Sequence, residues 1–146
     1  MSLQNIGSMK FRDRRDGDVG LAFIRVSGDK IGIALSLKNA GDAEVFMDLG
    51  VAGEFLDALK RALDIVASTS PDASAEAGPR LVAAMKFHDF SDGGDARISV
   101  EAGAGTVEIT LDLGEDGYAS VTMGMGDASE FLAAVQEAVV VAERGM

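Results

Sequence analysis

The sequence has no cysteine, no tryptophan and a single histidine, His88, among its 146 residues. These absences exclude a disulfide framework, a cysteine nucleophile and a metal site built from histidine and cysteine ligands. No aspartate spacing of the EF-hand type occurs, and the glycine-rich pieces match neither a phosphate loop nor a dinucleotide fingerprint. We therefore expect no metal, no cofactor and no enzymatic activity.

Long apolar runs and a signal sequence are also missing. No stretch approaches the roughly 18 apolar residues of a membrane-spanning helix, and the N-terminus lacks the basic and apolar regions of a signal peptide. Hydrophobic residues nevertheless make up 47% of the chain, which is sufficient for a substantial core. The sequence predicts a cytoplasmic protein without membrane contact, folded as one domain over residues 1–146.

A stretch of ten residues occurs twice. Residues 9–18, MKFRDRRDGD, return as MKFHDFSDGG at 85–94, a shift of 76 residues with 6 of 10 positions identical. At the same shift, residues 31–66 match residues 107–142 at 14 of 36 positions. Roughly two or three matches would be expected by chance, so the pattern indicates a tandem duplication.

Each repeat predicts four strands followed by a helix. In residues 30–38, apolar side chains alternate with Gly32, Ala34 and Ser36, as in a strand with one buried face. The period then changes to that of a helix, with an apolar stripe that includes Phe55 and Leu56 and recurs at Phe131 and Leu132. We expect these four side chains to be buried.

The two repeats span about residues 9–66 and 85–142, and residues 67–80, which contain both prolines, form the linker. Short connections favour antiparallel meanders, so the predicted fold class is α+β, with two tandem ββββα units whose sheets share a core with two helices. Val26 aligns with Val100, which predicts a slip of two residues around the second strand. Asp127 and Glu130 form a capping pattern that predicts a helix start near residue 129.

The charge is uneven along the chain. Acidic residues outnumber basic ones 24 to 13, a net charge of −11 that argues against nucleic-acid binding. However, residues 1–38 hold seven basic and four acidic residues, a net charge of +3, whereas the rest hold six and twenty, a net charge of −14. This asymmetry indicates a basic surface for a partner.

Two ββββα units joined by a linker resemble the architecture of the Pur-alpha repeat proteins and the Whirly-type proteins. The resemblance covers nearly the whole chain and is one of element order, since the Whirly signature Lys-Gly-Lys-Ala-Ala-Leu is absent. It implies binding of single-stranded DNA or RNA across curved β-sheets, often by oligomers, and we accordingly expect a homo-oligomer.

Strand alternation selects the candidate site residues, because side chains that alternate with the buried ones face outward. Basic residues that follow a backbone, with aromatic rings on which bases stack, are typical of sequence-tolerant single-strand binding. On the first sheet the candidates are Lys10, Arg12, Arg14, Phe23, Arg25, Lys30, Lys38 and Phe46. On the second sheet they are Lys86, Phe90 and Arg97, in a weaker site that Glu108 and Asp112 oppose.

Two other interpretations remain open. The basic residues of the first strand also fit an edge strand protected by charge, and Phe23 and Phe46 also fit burial under the linker or at a subunit contact. The acidic remainder of the chain favours a different function, a protein-binding scaffold or a chaperone-like oligomer without nucleic-acid activity.

Overall fold

The computed structural model describes residues 3–14, 17–37, 41–68, 80–90 and 93–145. The first unit consists of β1 (Leu3–Arg12), β2 (Val19–Ser27), β3 (Lys30–Leu37), β4 (Gly41–Met47) and α1 (Leu49–Ser68). The second consists of β5 (Arg80–His88), β6 (Asp95–Ala102), β7 (Thr106–Asp112), β8 (Tyr118–Gly124) and α2 (Met125–Arg144). Each unit forms a four-stranded antiparallel meander in chain order, which confirms the predicted fold class.

The shift of 76 residues holds through every strand pair, so the predicted slip around the second strand is wrong. Val26 pairs with Ile31 in the first sheet, and Ala102 pairs with Val107 in the second. Ala102, not Val100, is therefore the equivalent of Val26. Matching Val26 to Val100 gave the wrong register because the true equivalent of Val26 is an alanine, although the position is buried in both units.

The first strand begins at Leu3, six residues before the predicted start at residue 9. A β-bulge between Asn5 and Gly7 breaks the alternation of side chains, which hides this part of the strand from a period-2 pattern. The second unit has an equivalent bulge between Leu81 and Ala83. The duplication therefore includes this irregularity as well as the regular strands.

Each helix packs mainly on the sheet of the other unit. Helix α1 lies against β5 and β6, and α2 lies against β1 and β2. The two helices also contact each other, where the rings of Phe55 and Phe131 meet edge to face at 6.1 Å between centroids. Because of this exchange, the buried residues of both units form one contiguous core.

The helix stripe was predicted correctly at three of its four named positions. Phe55, Leu56 and Phe131 are buried, whereas Leu132 is only partly buried at the rim of the core. Helix α2 starts at Met125, four residues before the predicted start, and no side chain caps it. Asp127 lies instead in the first turn, where its carboxylate complements the positive end of the helix dipole.

Two aspartates link the units, because each accepts a hydrogen bond from a backbone N–H of the other unit. Asp89 follows β5, and its Oδ1 accepts the backbone N–H of Phe46 on β4 at 2.9 Å. Asp13 follows β1, and its Oδ1 accepts the backbone N–H of Thr122 on β8 at 3.1 Å. Both aspartates are only 1% exposed. These paired contacts explain why an aspartate stands at this place in both copies of the repeated stretch.

We expect Asp89→Ala to lower the free energy of unfolding by about 1–3 kcal/mol, because the N–H of Phe46 loses a buried acceptor. Asp13→Ala should have an effect of similar size at Thr122. Urea denaturation measures both changes. Asp89→Asn keeps an acceptor oxygen and should cost less, and Asp95→Ala, at an exposed position, should be neutral. Equal stability of Asp89→Ala and Asp95→Ala would show that the contact contributes nothing.

Candidate nucleic-acid interface

Three small residues leave a depression in the middle of the outer face of the first sheet. Gly32, Ala34 and Ser36 occupy the outward positions of β3 between longer side chains of β2 and β4. The resulting groove has a volume of about 490 Å³. Its outward lining is Leu21, Phe23, Arg25, Ala34, Ser36, Asp42 and Glu44, and Leu113 of the second unit also lines it.

Phe23 and Arg25 lie side by side on β2 in this groove. The guanidinium carbon of Arg25 lies 5.3 Å from the centroid of the Phe23 ring, within the range of a cation–π contact. Phe23 is half-buried, so part of its ring remains accessible from the groove. The pair therefore presents an aromatic surface and a cation at neighbouring points.

Phe46 covers the backbone of Gly32 instead of extending into solvent. A Cβ atom added at Gly32 would lie 2.6 Å from the Phe46 ring, which shows how closely the ring approaches the strand. Phe46 is half-buried, and its backbone N–H and carbonyl are held by Asp89 and Phe90. The Phe46 ring thus packs on its own sheet, and the residues that follow β5 hold its backbone.

Two of the candidate cations on this face form ion pairs. Arg25 Nη1 donates to Glu44 Oε2 at 2.9 Å, and Lys30 Nζ donates to Asp29 Oδ1 at 2.8 Å. The hydrogen bond from Lys30 lowers the pKa of the Asp29 carboxyl from its ordinary value. A phosphate would have to compete with these carboxylates, so the cations of this face attract polyanions less than their number indicates.

The cations of β1 lie towards the edge of the sheet. Lys10 and Arg12 are exposed, and Arg12 Nη1 donates to the carbonyl of Gly17 at 2.6 Å. Because β1 is an edge strand, protection against aggregation explains their presence as well as ligand binding does.

Arg14 lies beyond β1 and does not join this face. Its backbone N–H donates to the carbonyl of Thr122 at 2.8 Å, and its guanidinium lies against Gly124 of the second unit. Lys38 lies outside the described residues.

The outer face of the second sheet is more acidic than that of the first, and its side chains form hydrogen bonds with one another. Glu108 accepts a hydrogen bond from Ser120 at 2.9 Å, and Thr110 contacts the same hydroxyl at 2.9 Å. Lys86 and Arg97 are exposed and line a separate hollow of about 500 Å³ near His88. Phe90 follows β5 and reaches the corner of the first sheet, where its backbone N–H donates to the Phe46 carbonyl at 2.9 Å.

Sequence reasoning missed the carboxylates that shape this surface. The ion pair of Glu44 with Arg25 was not predicted, and Asp89 was noted only as part of the repeated stretch. The repetition of Asp13 as Asp89, within the stretch that occurs twice, is the sequence signal that points to a shared role.

No protein-family model matches this chain, and no curated protein sequence matches it. Within the described residues, no three histidine, aspartate or glutamate side chains converge as a metal site would require. Neither of the two helices in the described ranges combines the length and apolar character that crossing a bilayer demands.

Proposed function

We propose that this protein binds single-stranded DNA or RNA across the outer face of its first sheet. The observation that carries the proposal is the half-buried Phe23 ring, with the Arg25 guanidinium 5.3 Å from its centroid, in an open groove. Bases stack on such rings whatever their sequence, and a neighbouring guanidinium can reach the backbone phosphate. The resemblance in element order to the Pur-alpha and Whirly-type proteins supports the same proposal.

The ion pairs predict a modest affinity with a clear dependence on salt. Arg25 must exchange Glu44 for a phosphate, so part of the phosphate attraction is offset by the lost pair. Lys10 and Arg12 lie along the same face without this restriction among the described carboxylates, and they add sequence-independent attraction. Each phosphate contact should contribute about 0.7 to the slope of log affinity against log salt.

Phe23→Ala should weaken binding of every single strand by about 1–3 kcal/mol through lost stacking, without changing the salt slope. Fluorescence anisotropy with labelled oligonucleotides at two salt concentrations measures both quantities. Phe23→Leu is the matched control, because it keeps apolar packing on the sheet but has no aromatic face. Full binding by Phe23→Leu would show that packing, not stacking, is the role of this residue.

Glu44→Gln is expected to strengthen binding, since it releases Arg25 from its ion pair and removes a negative charge from the groove. The control is Glu54→Gln, which removes the same charge from an exposed position on α1. If the two variants bind single strands equally well, Arg25 does not contact phosphate and the proposed location is contradicted.

A protein-binding scaffold is the second candidate function. It is favoured by the N-terminal halves of the edge strands β1 and β5, where Leu3 and Leu81 are exposed and Arg80 is the one charged residue. Edges with so little charge are where a partner strand, including one from a second copy, would pair.

A further inference from the structure

Phe90 connects the outer faces of the two sheets. Lys30 Nζ, on the first sheet, lies 4.7 Å from the centroid of its ring. The His88 ring, on the second sheet, meets it edge to face at 5.0 Å. The Phe90 side chain is nevertheless 48% exposed, so an aromatic surface remains open at the corner between the sheets.

Next to this corner, Lys86 and Arg97 lie directly opposite each other in the β5–β6 ladder. Like charges in this arrangement repel and destabilise a sheet. Within the described part of the chain neither forms an ion pair, although Asp112 lies opposite Arg97 on its other side. Asp112 Oδ1 instead accepts the backbone N–H of Gly114 at 2.9 Å.

At the equivalent position of the first sheet, Leu21 stands opposite Lys10, so this repulsive pair is not repeated there. The second sheet therefore has two facing cations in the lining of a hollow of about 500 Å³, which Asp95 and Asp112 also line. A phosphate lying between Lys86 and Arg97 would satisfy both cations and remove the repulsion.

We infer that a single strand bound on the first sheet continues over Phe90 onto the second sheet, where Lys86 and Arg97 bind one of its backbone phosphates. The inference rests on the proposed function and adds a path and a second anchoring point. Phe90 provides a stacking surface between the two groups of cations. Strands long enough to reach the second sheet should therefore bind more tightly than short ones, because they also contact Phe90, Lys86 and Arg97.

The test compares strands of about four and about twelve nucleotides, within the range of footprints seen for small single-strand-binding folds. The wild type should bind the long strand at least about fivefold more tightly than the short one, the smallest gain expected from one additional stacking contact. Phe90→Ala should weaken binding of the long strand about fivefold to 150-fold, the range of one lost stacking contact, and leave the short strand unaffected. The backbone contact to Phe46 does not depend on the side chain, so this variant should fold normally.

Lys86→Gln and Arg97→Gln test the anchoring point. Each should reduce the salt slope for the long strand by at most about 0.7 and leave the slope for the short strand unchanged. Lys60→Gln is the control, since it removes one positive charge from an exposed position on α1.

The outcomes separate this inference from the proposed function. A wild type that binds both lengths equally, or a Phe90→Ala variant that binds the long strand like Lys60→Gln, overturns the path while binding on the first sheet stands. A wild type that binds neither length overturns both. Loss of long-strand affinity in Phe90→Ala, together with a smaller salt slope in Lys86→Gln, supports the path.

Discussion

The first unit alone, residues 3–68, is expected to be unfolded in water. Its helix α1 packs mainly on β5 and β6, so in the isolated unit the apolar stripe of α1 has no surface to cover it. The inner face of its own sheet loses α2 for the same reason. A single sheet, with a helix that normally packs on the other sheet, buries too little apolar surface to offset the conformational entropy of folding.

Circular dichroism and urea denaturation of the separate units, residues 3–68 and 80–145, test this expectation. Each unit should lack a cooperative transition. An equimolar mixture should regain one, because each helix can then pack on the sheet of the other unit. Cooperative, native-like melting of either unit alone would contradict the shared core.

The second large effect is expected at the contact between the helices. Phe55→Ala and Phe131→Ala should each lower the free energy of unfolding by about 3–5 kcal/mol, since both rings are fully buried and leave a cavity. The double variant should cost less than the sum, because the two rings contact each other at 6.1 Å between centroids.

Leu132→Ala provides the control for these variants, as Leu132 follows Phe131 in α2 but is only partly buried. It should cost clearly less than Phe131→Ala in the same urea titration. A Phe131→Ala protein with unchanged denaturation would mean that the helices do not meet through these rings.

The strands and the repeat could be predicted because both leave local or periodic signals. Alternation in β3 placed Ile31, Ile33 and Leu35 on the buried face, and all three are fully buried. Some identities between the repeats also reflect packing that only the structure explains. Gly41, matched by Gly117, has a φ of 106°, and a Cβ there would lie 3.1 Å from the Tyr118 carbonyl oxygen. Only glycine accepts both conditions without strain.

The exchange of helices could not be predicted from the sequence. An amphipathic stripe shows that α1 has a buried face, but it does not show which of two similar sheets covers that face. The choice depends on connections and contacts between residues far apart in the chain, such as the bond between Asp89 and Phe46, which are separated by 43 positions.

The candidate site was predictable in outline and not in its electrostatics. Alternation alone indicates that Phe23 and Arg25 share the outer face of β2. The pairing of Arg25 with Glu44 depends in addition on the register of β2 with β3 and of β3 with β4. A count of charges therefore overstated the attraction of this face for phosphates.

Backbone amide chemical-shift mapping during titration with a single strand of about twelve nucleotides tests the central claim most directly. The account predicts that the largest changes occur at Phe23, Arg25 and Ala34, and that they shrink as salt is raised. Changes confined to the helices, or no change at low salt with the strand in the micromolar range, would contradict binding on the first sheet.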